Sequence, residues 1–207
     1  MRYLFLDASE NATTSQYGDE SGFFSRRFDT DRNLGACVSK ICDQMLAQAG
    51  RSFADLDLLA VCTGPGSLTG LRIAAAFFRT LALIGEKPIS GIDIFSWSLK
   101  TMQMQGSSGK VSLVLPTLID KAFVVDGDID RQICQPPQLL TRNDVSGPNT
   151  YSIRCDLPGL NRLEPSAEAL NELIKNQSAK TSFEDILSIL PMYVIPSQAE
   201  RKLEEKR

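Results

Sequence analysis

Apolar residues in the first half of this chain fall into short continuous runs alternating with stretches of helical period. Arg2 to Asp7 is a strand-length apolar run. Two further short segments, 14–17 and 22–28, are separated by the turn-forming Gly-Asp-Glu-Ser at 18–21, which predicts a three-strand meander. From Asn33 to Ala49, Leu34, Val38, Ile41 and Met45 recur at helical spacing, with Cys42, Leu46 and Ala49 half a turn round and Gly50 placed as a C-cap. Leu58 to Cys62 is a continuous run suited to a strand buried on both faces. A glycine and proline turn follows it, then a second helical stretch, Leu71 to Ile84, closed by Gly85. Pro88 to Ile92 predicts another strand, and Asp93 can N-cap a third helix reaching Met104. The element order is βββαβαβα.

Gln-Gly-Ser-Ser-Gly at 105–109 has linker composition, so a boundary is placed there, dividing the chain into 1–104, 110–195 and a polar, helix-favouring tail 196–207 with Arg201 and Glu205 at i, i+4. Beyond the linker, Val111 to Leu115, Ala122 to Asp126 and Ile129 to Cys134 predict a second meander, with Asp-Gly-Asp at 126–128 as its tight hairpin turn. A loop rich in Pro and Asn is expected over 136–149, a strand over Tyr151 to Arg154, and a helix opened by proline over Pro165 to Asn176. The second half thus opens as a shorter copy of the first, and the fold class is α/β.

Composition narrows the chemistry. No apolar run approaches a membrane span, and the N-terminal run stops at Asp7, short of a secretory core, so a cytoplasmic protein without membrane contact is expected. The five cysteines are scattered and form no CxxC pair, which suggests reduced thiols and no zinc knuckle. A net charge of −3 opposes autonomous nucleic-acid binding. The densest basic spot, Arg26, Arg27 and Arg32, is interrupted by Asp29 and Asp31. The chain contains no histidine, which removes Ser-His-Asp and Cys-His mechanisms and the commonest metal ligand. Neither a catalytic residue nor a metal site is assigned.

The strongest local signal is Gly-Pro-Gly-Ser-Leu-Thr-Gly-Leu-Arg-Ile at 64–73, between the buried strand and the second helix. Pro65 should restrict Gly64 to extended geometry, Gly66 can take positive φ, and Ser67 or Thr69 can accept from free helix amides. Gly64, Pro65, Gly66, Ser67, Thr69, Gly70 and Arg72 are the candidate turn residues. The spacing is neither a Walker loop nor a dinucleotide-binding glycine fingerprint. An anion contact, a partner contact and a plain strand-to-helix turn all fit it.

This segment closely resembles the GPGSFTGLRI signature of the TsaB (YeaZ) family, with Leu68 in place of the usual phenylalanine. The opening LFLDAS at 4–9, FADLDLLAV at 53–61 and PMYVIPSQAERKL at 191–203 are similar to that family's start, strand lead-in and ending. The family's R-H-S sequence reads Arg32, Asn33, Leu34, Gly35 here, its D-A-R-x-G-E-V-Y segment is reduced to Asp120, Lys121, Ala122 and Phe123, and Ile195 replaces the closing arginine. The resemblance implies two actin/Hsp70-like (ribonuclease H-like) domains, the second reduced, and places Asp7 at the strand end where the superfamily's acidic residue works on metal-bound phosphates. It further implies a non-catalytic scaffold for a TsaD type threonylcarbamoyltransferase, visited by a TsaE type ATPase, meeting tRNA only through the complex and forming a homodimer when alone. ATP with magnesium, and zinc or iron, would then belong to the partner enzymes, with no cofactor bound by this chain alone.

The second helix is apolar over most of its girth, with Leu71, Ala74, Ala75, Phe78 and Ala82 on one stripe and Ile73, Ala76, Phe77, Leu81 and Ile84 on another. Leu34, Val38, Ile41, Met45, Ala75 and Phe78 are therefore the expected partner-binding residues of a helix-bundle interface, with burial inside the monomer as the alternative. The competing function is a stand-alone ATPase or small-molecule phosphotransferase using Asp7 and the loop at 64–70.

Overall fold

A computed structural model describes residues 1–30, 33–117, 120–176, 179 and 181–192. Arg32, Ile195 and the predicted tail helix lie outside the described residues. The first sheet is built from β1 (Tyr3–Asp7), β2 (Ala12–Gly18), β3 (Phe23–Asp29), β4 (Leu58–Gly64) and β5 (Ile89–Asp93), in the order β3-β2-β1-β4-β5. Its meander pairs antiparallel, while β1, β4 and β5 run parallel.

The connections are helical where the periodicity predicts it. Helix α1 (Leu34–Ala49) ends on Gly50 at φ 64°, the left-handed cap that glycine adopts without steric cost. Helix α2 spans Leu68–Ile84, and α3 (Ile94–Met104) starts where the Asp93 carboxylate accepts from the amides of Phe95 and Ser96 at 3.0 and 2.9 Å.

The second sheet contains β6 (Lys110–Pro116), β7 (Lys121–Asp128), β8 (Ile133–Cys134), β9 (Gln138–Thr141), β10 (Thr150–Ile153) and β11 (Asn161–Leu163). Its order, β11-β10-β6-β7-β8 with β9 also on β7, repeats the first: β6 stands for β1, β7 for β2, β10 for β4 and β11 for β5. The counterpart of β3 is broken into β8 and β9, which share the outer edge of β7. A single 3-10 turn at Arg142–Asp144 stands where α1 would be, and residues 154–160, non-helical throughout, stand where α2 would be. Helix α4 (Ala167–Asn176) follows in the place of α3, and a short α5 (Phe183–Leu187) returns to pack on α2. The two-domain fold with a reduced second half is as the resemblance implied.

Two expectations are corrected here. Asp126, Gly127 and Asp128 lie inside β7, and the chain turns at 129–132, with Gln132 at φ 54°. Gly127 serves packing: a Cβ there would stand 2.9 Å from a methyl of Leu99 on α3. The expected loop over 136–149 contains β9, whose residues register against Lys121–Val124.

Strand alternation divides the core. Leu4, Leu6, Leu59, Val61 and Ile89 face α1 and α2, whereas Tyr3, Phe5, Leu58, Ala60 and Ile92 face α3 and α4. Helices α3 and α4 are covered on their other side by Val111, Leu113, Val125 and Ile153 of the second sheet, so one apolar cluster crosses the 105–109 linker. Phe5 meets Trp97 edge to face at 5.7 Å within it. A polar chain reinforces the contact: Tyr3 donates its hydroxyl hydrogen to Asn171 of α4 at 2.9 Å and accepts from Gln16 Nε2 at 2.7 Å. Burial pushes the Tyr3 phenol up to about 12, with the Gln16 bond opposing.

Candidate functional site

Asp7 ends β1 with its side chain 3% exposed, a position where a carboxylate needs partners to stay ionised. It has them. The Ser9 amide donates to Oδ1 at 2.9 Å, and Arg154 Nη2 donates to Oδ2 at 2.8 Å. Arg154 Nη1 donates to Ser9 Oγ at 2.9 Å, and the guanidinium lies 5.1 Å from the centre of the Trp97 ring. Burial pushes the Asp7 carboxyl up, but the Arg154 charge and the Ser9 and Arg154 hydrogen bonds outweigh it, leaving Asp7 below the ordinary carboxylate value. Burial acts on Arg154 in the opposite sense to Asp7's charge, and the charge wins, so the guanidinium is held protonated more firmly than in water.

Arg154 follows β10, the counterpart of β4, so it stands where the first half places its glycine turn. Its φ of 60° is a conformation that residues with a Cβ adopt rarely. The sequence reading did not single it out; the signal lay in the repeat, as a cation one residue past the strand that duplicates β4. Beneath the pair lies Cys62, fully buried, whose thiol is pushed well up by burial and by the Asp7 charge, which favours the protonated form.

The 64–70 turn folds against the same segment, with a different division of labour from the one expected. Gly64, not Gly66, takes positive φ, at 94°, at the end of β4 and before a cis bond to Pro65. Gly66 is required for proximity: a Cβ there would stand 2.5 Å from the Ser9 carbonyl oxygen, and one on Gly70 would stand 2.1 Å from that of Ala8. The Ser67 amide donates to the Ser9 carbonyl at 2.7 Å, and Ser67 Oγ caps α2 by accepting from Gly70 at 3.5 Å. Thr69 and Arg72 are exposed on the first turns of α2. The turn therefore packs its backbone on residues 8–9.

The six expected partner-binding residues are not a surface. Leu34, Val38, Ile41, Met45, Ala75 and Phe78 are each 5% exposed or less, and all but Ala75 belong to the cluster under α1 and α2. The helical period marks an apolar face correctly, but that face lies on the chain's own sheet. The second stripe of α2 is less covered: Ile84 is 79% exposed and Ala76 is exposed, while Ile73, Phe77 and Leu81 are half-buried and pack on the edge of the same cluster. Among the described residues, no three His, Cys, Asp or Glu side chains come together as a metal site, and no helix is long and apolar enough to cross a membrane. An open groove of about 680 Å³ lies along the second sheet beside Lys110, Asp126, Asp128 and Arg131, away from Asp7.

The sequence matches the family described as TsaD, tRNA N6-adenosine threonylcarbamoyltransferase, over residues 29–119, a stretch that contains α1, the 64–70 turn and α2. It is 32% identical over 94 residues to the tRNA threonylcarbamoyladenosine biosynthesis protein TsaB of Escherichia coli, covering 44% of this chain and 40% of that protein. It is 42% identical over 59 residues to a probable bifunctional tRNA threonylcarbamoyladenosine biosynthesis protein of Methanobrevibacter smithii, covering 28% of this chain and 11% of that one. The chain thus matches less than half the length of these curated relatives. In three dimensions it follows YeaZ from Pseudomonas aeruginosa at a TM-score of 0.73 and 19% identity, covering 93% of this chain and 99% of that one. The likeness in fold to YeaZ thus extends over both sheets.

Proposed function

We propose that this chain, a YeaZ-fold protein whose first half resembles TsaB, takes part in tRNA threonylcarbamoyladenosine biosynthesis as a non-catalytic partner of a TsaD type transferase. The observation that carries the reading is Asp7: the acid at the end of the first strand is neutralised by Arg154 and has no lone charge to offer a metal or a phosphate. A chain with that acid occupied and no histidine is suited to support chemistry performed elsewhere. ATP with magnesium, and zinc or iron, belong in this reading to the partner enzymes. A stand-alone phosphotransferase would need Asp7 open to a cation.

The docking surface is the outward stripe of α2, Ile73, Ala76, Phe77, Leu81 and Ile84, an apolar face that the fold leaves uncovered at Ile84. The same face serves a second copy of the chain when the partner is absent, a TsaE type ATPase visits the assembled pair, and tRNA is met only through the complex, in the cytoplasm. The test is reconstitution: threonylcarbamoyl transfer to tRNA by the TsaD type enzyme is measured with and without this chain. Transfer that depends on the chain supports the proposal, and transfer that is the same when it is left out sinks it.

A further inference from the structure

We infer that Arg154 is a positioning residue: reaching from the end of β10 into the end of β1, it anchors Ser9, and through Ser9 it sets the turn that starts α2. The inference concerns the isolated chain and stands whether or not α2 is the docking surface.

The linkage is continuous in the geometry. One face of the guanidinium rests on Trp97, itself fixed by its Nε1 donating to the Ser166 carbonyl at 2.7 Å and by its edge contact with Phe5. Two guanidinium nitrogens then diverge, one to Asp7 Oδ2 and the other to Ser9 Oγ. A planar fork with fixed donor directions can hold both acceptors at once, whereas the single ammonium of lysine has no such geometry. Ser9 is next held by the turn from the other side, since its carbonyl accepts from the Ser67 amide at 2.7 Å.

There is no slack in that second contact. Glycine at 66 and at 70 is what allows the backbone of residues 8–9 to lie directly on the turn, at distances where any Cβ would overlap the Ser9 or Ala8 carbonyl oxygen. A shift of Ser9 is therefore passed to Ser67, the N-cap of α2, with nothing flexible between them. The left-handed backbone of Arg154 points the same way: strained conformations of this kind persist where the surroundings over-determine them. The duplication supplies the logic. In the first half the strand end carries a turn; in the second, the equivalent strand end carries the side chain that holds that turn.

A purely structural cation would lower the stability of the whole chain evenly, so the test separates local from global opening. Amide hydrogen exchange is followed by mass spectrometry on the full chain and on Arg154→Met, Arg154→Lys and Ser9→Ala, with urea unfolding of each. In Arg154→Met, peptides covering 64–71 are expected to exchange about tenfold faster or more, the size expected for losing charge-assisted hydrogen bonds, beyond any change in β5 and α4. Arg154→Lys should recover only part of the protection. Ser9→Ala, which leaves the ion pair in place, should speed the same segment by a smaller factor. Acceleration of β5, α4 and 64–71 alike, or wild-type exchange over 64–71 in a folded Arg154→Met, overturns the inference. If Arg154→Met does not fold, Ser9→Ala decides alone, and unchanged exchange over 64–71 in it overturns the inference equally.

Discussion

Asp7 and Arg154 stand 147 positions apart in the chain, yet their carboxylate and guanidinium meet at 2.8 Å with almost no access to water. Removing one partner of such a pair leaves the other charge buried. Arg154→Met is expected to cost about 3 kcal/mol in urea unfolding, and Asp7→Asn a similar amount. The double variant should cost clearly less than the sum, because neither charge is then stranded. Additive losses would mean that the two residues act independently.

The same pair sets the acid response. The Asp7 carboxyl is held below its unfolded value, so its contribution to stability is fully present above about pH 4 and is lost as the pH falls through the folded value. The other ionisable groups acting on it are Arg154 and the buried Cys62 thiol, while Glu10 acts on Arg154, and none of them reverses the sign. Urea midpoints measured between pH 6 and pH 3 should fall less steeply in Asp7→Asn than in the wild type. An unchanged slope would assign the acid response to Asp19, Asp55 and Asp57, whose carboxyls are also held low by their hydrogen bonds.

A glycine of the turn and one of the 105–109 linker should separate by mechanism. Gly70→Ala places a Cβ 2.1 Å from a backbone oxygen that cannot rotate away, and a loss of about 2 kcal/mol or more is expected. Gly106→Ala meets open space and carries only the strain of φ 83°, roughly 1 kcal/mol. Thermal unfolding of the two variants distinguishes them, and equal losses would mean that the turn yields where the distances say it cannot.

Two substitutions on neighbouring helices should behave in opposite ways. Val38→Asp buries a charge under α1 and should leave little folded protein, since Val38 is 5% exposed. Ile84→Asp, at 79% exposure, should leave the circular dichroism and unfolding midpoint near wild type and weaken the proposed association with a TsaD type enzyme by about tenfold or more. Sedimentation of the mixed proteins reads the second effect. Wild-type association in Ile84→Asp would move the docking surface elsewhere.

What could be read in the sequence was local. The Gly50 cap, the Asp93 cap and the period of α1 each depend on residues within one or two turns of one another, and each is found where the pattern places it. What failed depended on distant neighbours. Gly127 looks like hairpin chemistry until Leu99 is seen against it, and β9 has no strand pattern of its own apart from its pairing with β7. The period of α1 and α2 marks a greasy face without telling whether a sheet or another molecule covers it. For the same reason the acid of the site was legible at a strand end, while the cation that occupies it was not.

The sandwiching of α3 and α4 between two sheets bears on how the molecule moves. A protein that clasps a ligand between two lobes needs a dry seam that can part, and here the seam is filled by two helices, stitched through Tyr3 to Asn171 and through Trp97 to Ser166. Opening it would expose the apolar cluster that spans both sheets. Any relative movement of the two sheets would therefore have to break that seam and both of its hydrogen bonds.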